Sequence, residues 1–345
     1  MACASIRPLP PRDVFPIATT WSVEAGEGHI GGPLVSDGGR IFVASRDGRV
    51  TGLDRFTGAT LWSVSGRPGV LAIGGGVLAL READGTVWVM DPDTGTTRWK
   101  APSGVLGTLP VLIASAAVVV AGDGLAALEP GTGRALWTVL DAKAAVVPAL
   151  AGAALVVGES DGPIRGRDLA SGRVLWSHPT GHPLVAPPIA DDRGRVLAGT
   201  TDRRFVALDA KTGKAHWTWR LGAAVHQPPV VFERLVLFAT NEDVLYGLDR
   251  GNGHMRWRAA LPSRPLSGPV LFGGAAIVAC HGARPGETFL IAFDARTGDR
   301  LGDFKVPGEA TTPPLLVEDR LYIGMRESAD RVLGLRLGAA EAAAP

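Results

Sequence analysis

A ten-residue motif, Leu-Asp-x-x-Thr-Gly-x-x-x-Trp, recurs in recognisable form seven times along this 345-residue chain and limits its fold more than any other feature. The copies carry Asp54, Gly58 and Trp62; Asp91, Gly95 and Trp99; Glu129, Gly133 and Trp137; Asp168, Gly172 and Trp176; Asp209, Gly213 and Trp217; and Asp249, Gly253 and Trp257. The seventh has Asp294 and Gly298, followed by Gly302 where the pattern calls for tryptophan. Trp21, in Thr20-Trp21-Ser22-Val23, is an eighth copy of the tryptophan with no turn before it. From Trp21 onward the successive spacings are 41, 37, 38, 39, 41, 40 and 45 residues.

Such a period, with four short strands per unit, is that of a β-propeller. Helical repeats of similar length would place apolar residues three and four apart, whereas here Val, Ile and Phe alternate with period two. Within residues 31–64, Leu34-Val35, Ile41-Phe42-Val43-Ala44, Val50-Thr51-Gly52-Leu53 and Leu61-Trp62-Ser63-Val64 read as four strands. The turn at Arg46-Asp47-Gly48 suits a tight hairpin, because Asp-Gly tolerates positive φ. The C-terminal region supplies three strands of a last blade and lacks the outer one, and the segment around Trp21 is an outer strand lacking its blade. The reading is therefore all-β: an eight-bladed β-propeller of four-stranded antiparallel blades, closed by an N-terminal strand that completes the last blade and removes the exposed edges.

One propeller over residues 19–337 uses almost the whole length. Residues 1–18, rich in Pro and Arg, and 338–345, rich in Ala, read as disordered or processed tails. With 35 basic and 34 acidic residues the net charge is +1, and no basic block invites nucleic acid. The longest uncharged stretches, 105–122 and 144–158, are interrupted by Pro110 and Pro148. A membrane helix needs about 20 uninterrupted apolar residues, so paired strands are expected and no transmembrane segment. Cys280 reads as buried and inert. Cys3, ahead of a proline-rich stretch, is a candidate lipid-anchor position, weighed against an accidental cysteine in a tail; no signal peptide stands in the chain as written.

The repeat residues have structural explanations. Trp21, Trp62, Trp99, Trp137, Trp176, Trp217 and Trp257 are expected to dock against the neighbouring blade, each near the glycine of a Thr-Gly turn. An indole buries about 150–250 Å², a gross gain of roughly 4–6 kcal/mol per site at about 25 cal/mol/Å². The motif aspartate is expected to cap its turn through its side chain. Trp88 and Trp219, outside the register, read as packing residues.

Chemistry-bearing residues gather in the turns between second and third strands, which share a face with the connections between blades. The candidate partner-binding positions there are Arg46, Arg81, Arg203, Arg204, Glu242, His281, Arg284, Glu287 and Arg326. The longest insertion on that face, residues 280–288, is the leading contact segment. His29, His182 and His226 look toward the same rim, but their unequal offsets before Pro33, Pro188 and Pro229 argue against a metal site. No nucleophile elbow, phosphate loop, zinc-protease helix or haem-attachment motif is present, so no catalytic residue is assigned.

The copy Leu208-Asp209-Ala210-Lys211-Thr212-Gly213-Lys214-Ala215-His216-Trp217 resembles the tryptophan-docking repeat of pyrroloquinoline-quinone (PQQ)-type propellers, and the resemblance covers residues 19 to about 337. One branch, the quinoprotein dehydrogenases, implies PQQ with calcium on the propeller axis and a vicinal cysteine pair, which this chain lacks. The other, the outer-membrane β-barrel assembly lipoproteins BamB, implies a scaffold without a cofactor that binds a protein partner through loops on one face. On that resemblance the expectation is a non-enzymatic, protein-binding propeller at the periplasmic side of the outer membrane. The alternatives are a PQQ-binding oxidoreductase or sensor, and an interaction propeller that is cytoplasmic if the chain as written is the full precursor.

Overall fold

The computed structural model describes residues 14–25, 29–66, 68–326 and 329–338, and these contain strands and no helix. Seven sheets have four antiparallel strands in sequential order. The first comprises Val35–Ser36, Arg40–Ala44, Arg49–Asp54 and Thr60–Ser65. The eighth sheet is built from both ends of the chain: Ile17–Glu24 pairs antiparallel with Asp330–Leu337, which pairs with Arg320–Arg326. Leu315–Val317 and the short Glu309–Ala310 both pair with Arg320–Arg326, giving this sheet a fifth strand. The ring is thus an eight-bladed β-propeller closed by its N-terminal strand.

Second and third strands are buried on both faces because every blade is sandwiched between two others. Residues 77–82, 235–240 and 275–280 are buried throughout. Outer strands alternate instead, with the tryptophan turned inward: Val174–His178 has Trp176 buried and Val174 and Leu175 exposed. The core is correspondingly divided into clusters that lie between blades, such as Leu197, Phe205 and Trp217 of blade 5 with Val236, Phe238 and Leu248 of blade 6.

The docking rule is the same at seven interfaces. Trp21, Trp62, Trp99, Trp137, Trp176, Trp217 and Trp257 lie on Gly58, Gly95, Gly133, Gly172, Gly213, Gly253 and Gly298 of the next blade. These glycines have φ of 68–79° and could not carry a side chain in any case: a Cβ on Gly213 would sit 2.4 Å from the Trp176 ring. Six of the seven indoles also donate to the carbonyl following the motif acid, as Trp176 Nε1 does to Ala210 O at 2.9 Å. Trp257 Nε1 is buried without such a partner. The acid caps the turn as expected. Asp54 Oδ1 accepts from the amides of Phe56 and Thr57 at 3.0 and 2.8 Å and from the Thr57 hydroxyl at 2.8 Å. These bonds, led by the Thr57 amide, hold its carboxyl below the usual aspartate range.

The eighth interface lacks its tryptophan at Gly302 and, among the described residues, the turn that would receive it. Phe15 fills the gap: a Cβ on Gly302 would meet its ring at 2.7 Å. Val14 and Ile17 are buried beside it with Leu290, Ala292 and Leu335, and the Gly338 amide donates to Val14 O at 2.9 Å. The N-terminal tail expected over residues 1–18 therefore gives way to packed structure at Val14, because the seam needs an aromatic ring that the repeat does not supply. Cys3 and its lipid-anchor reading lie outside the described residues.

Candidate functional site

Hairpin turns between second and third strands meet the interblade connections on one face of the ring. The Arg46 amide donates to His29 O at 2.6 Å, Ser160 to Lys143 O at 2.8 Å, Thr201 to Pro183 O at 3.0 Å and His281 to Arg264 O at 3.2 Å. Each turn is thus tied to the connection entering its own blade, which makes this connection face a rigid platform for its side chains.

Eight of the nine candidate residues fall on the platform. Arg46, Arg203, Arg204, Glu242, His281, Arg284 and Arg326 are exposed. Glu287 is half-buried and pairs with Lys305 Nζ at 2.6 Å, which holds its carboxyl below the usual glutamate range. Arg204 is held by Asp202 at 2.8 Å and Arg326 by Asp330 at 3.1 Å. Arg203, at φ 67°, donates to Gly222 O at 3.3 Å, and Glu242 lies against the same glycine. Blades 5 and 6 therefore bring a cation and an acid to one point of the rim.

Arg81 corrects the sequence reading. It is 1% exposed, and its guanidinium donates to Leu109 O at 2.9 Å, Val105 O at 3.0 Å and Ala121 O at 2.5 Å. Burial pushes its pKa down, partly offset by Asp123. It anchors the connection between blades 2 and 3 and offers nothing to a partner. Glu159, also in a hairpin turn, is likewise internal: it is 1% exposed and pairs with Arg165 and with Arg167, the latter at 2.9 Å. Conversely, exposed Leu106 and Leu140 flank the Asp123-Gly124 turn of blade 3 on this face, and an apolar residue in a connection has no periodicity to reveal it.

The seam of the ring also reaches this face. Asp330, with a side chain 1% exposed, accepts from the Ile30 amide at 2.8 Å and Arg326 Nε at 3.1 Å and lies 3.2 Å from His29 Nδ1. Burial alone would raise its pKa, but these partners together hold it below the ordinary 3.8. A depressed folded-state pKa contributes stability that is present above the unfolded value and lost as pH falls through the folded one. Acidification below 3.8 is thus expected to loosen the seam between blades 8 and 1. Faster amide exchange of Ile30 in Asp330→Asn at neutral pH, converging with wild type in acid, is the check.

Among the described residues no group of three His, Cys, Asp or Glu side chains could hold a metal ion, and Cys280 is a single buried thiol pushed up to about 12 by burial.

A family model described as outer membrane protein assembly factor BamB matches residues 18–137, 65–189 and 181–312. BamB of Legionella pneumophila (strain Paris) is 26% identical over 175 residues, 48% of this chain and 44% of that protein. The quinoprotein ethanol dehydrogenase of Pseudomonas aeruginosa is 38% identical over 73 residues, 21% of this chain and 12% of that protein. The matched stretches thus span less than half the length of either relative. Among solved structures, BamB from Moraxella catarrhalis superposes with a TM-score of 0.77 at 18% identity, covering 93% of this chain and 97% of that one, a likeness of fold.

Proposed function

The chain belongs to the family of outer membrane protein assembly factor BamB, and on that premise we propose that it is a non-enzymatic scaffold that binds a protein partner through its connection face in outer-membrane protein assembly. The observation that carries this reading is the platform itself. Hydrogen-bonded turns hold Arg46, Arg203, Glu242, His281 and Arg284 exposed on one side of the ring. Exposed polar side chains on scaffold-held loops are what recognition uses. The periplasmic side of the outer membrane is the corresponding location; no helix among the described residues is long and apolar enough to cross a membrane. Photo-crosslinkers placed at Arg46, Arg203 and Arg326 are expected to capture one common partner in cells, and crosslinkers at Asp93 on the opposite face are not. Equal capture from both faces contradicts the reading.

A second reading rests on the 38% identity to a quinoprotein dehydrogenase. It predicts saturable quenching of tryptophan fluorescence by PQQ in the micromolar range. The scaffold reading predicts none, with or without calcium.

A further inference from the structure

Blades 5, 6 and 7 present the same interblade groove in two states. Between blades 5 and 6 it is filled. Trp219, two residues beyond docking Trp217, meets Tyr246 edge-on at 5.6 Å and 74°, and Val244 packs into the same cluster. Between blades 6 and 7 the equivalent positions are smaller. Ala259 stands two residues beyond Trp257, and Ile291 takes the place of Tyr246, each preceding the cross-strand partner of the docking position. What remains is a groove of about 200 Å³ walled by Pro262, Ala283, Phe289 and Ile291, with His281 and the Arg300–Asp303 pair also lining it. An apolar cavity of about 150 Å³ already accepts benzene, so this space admits one aromatic ring.

The groove opens beneath the blade 7 insertion, whose turn is fixed by Gly282 N to Glu287 O at 2.7 Å and by Lys305 on Glu287. Arg264 and Arg284 are exposed there, and neither forms an ion pair among the described residues. The rim is thus cationic around an apolar slot. We infer that the groove between blades 6 and 7 receives an aromatic side chain from an acidic segment of a partner protein. The guest takes the place that Trp219 occupies in the preceding interface. Aromatic anchors in pockets ringed by complementary charge dominate many protein interfaces. The inference rests on the scaffold reading of this face and adds to it a sector and the chemistry of the guest.

The test uses the folded chain and a synthetic peptide, acetyl-Glu-Asp-Gly-Trp-Gly-Asp-Glu-amide, followed by calorimetry and by ligand-observed NMR. Wild type is expected to bind it more tightly than about 1 mM, and the Trp-to-Ala peptide at least tenfold more weakly. Ala259→Trp, which fills the slot as Trp219 fills its own, is expected to abolish binding while leaving the melting temperature unchanged or raised. Arg264→Glu with Arg284→Glu touches only exposed residues and is expected to weaken binding at least tenfold at low salt, so the test survives if Ala259→Trp misfolds. No binding by wild type, or binding by the variants as tight as by wild type, overturns the inference. Crosslinking at Arg203 and Arg326 separates that result from failure of the scaffold reading. If a partner is still captured there, the groove alone is refuted; if nothing is captured, the scaffold reading falls as well.

Discussion

Replacing Trp176 by alanine is expected to cost about 3–5 kcal/mol, the range for removing a large buried ring, and to lower the melting temperature by several degrees. The ring is 7% exposed and wedged between Gly166 of its own blade and Gly213 of the next. Both glycines lack the atoms that could collapse into the space left behind. The indole also satisfies Ala210 O at 2.9 Å. Trp257 provides an internal control, because its Nε1 makes no hydrogen bond while its ring is as deeply buried. Trp176→Phe should therefore lose more than Trp257→Phe, by about the 0.5–1.5 kcal/mol of one hydrogen bond. Thermal and urea unfolding of the variants measure both. An unchanged curve for Trp176→Ala contradicts the docking role, and equal losses for the two Phe variants contradict the hydrogen-bond argument.

Glu159→Ala is expected to be comparably severe, at about 3–5 kcal/mol, because it strands a buried charge. Arg167 is only 7% exposed at its side chain, donates to Glu159 at 2.9 Å and reaches Gly172 O at 3.0 Å, in the turn that receives Trp137. Burial already depresses its pKa. Arg165 is 27% exposed and retains water when its partner is removed. The cost should fall mainly on Arg167, and Glu159→Leu combined with Arg167→Met should recover most of it, since apolar replacement of both members of a buried pair is often neutral. A double-mutant cycle reads the coupling directly. Additive losses in that cycle would mean the pair is not coupled.

The sequence made the ring legible because its rule is local. A tryptophan, a glycine at positive φ and a capping aspartate sit within ten residues, so spacing alone counts blades and marks interfaces. Closure by the strand around Trp21 was legible for the same reason. Phe15 was not: it belongs to no repeat, and its role at Gly302 depends on a contact between opposite ends of the chain. Arg81 failed for a different reason, which would have hidden Glu159 as well. A charged residue in a hairpin turn ordinarily faces water, and only tertiary structure shows that Arg81 turns inward to three carbonyls and Glu159 to two guanidiniums. The groove of blades 6 and 7 is subtler still. Ala259 and Ile291 look like ordinary strand residues until Trp219 and Tyr246 show what the same positions hold one interface earlier.

The seam described above also fixes an order of events. Thr20 Oγ1 bonds Gly334 O at 3.0 Å across 314 positions of sequence. Lengthening a loop costs only about 0.6 kcal/mol per doubling, so the burden of this pairing is one of time rather than of equilibrium. Ile17–Glu24 therefore stays without its partner until Asp330–Leu337 reaches it, wherever the chain folds. Until then blades 1 to 7 form an open arc, with the glycine turn of blade 1 bare at one end and the Gly302 face bare at the other. Both ends are apolar and unpaired in that interval, so the pairing of the two chain ends is what covers the last open faces of the ring.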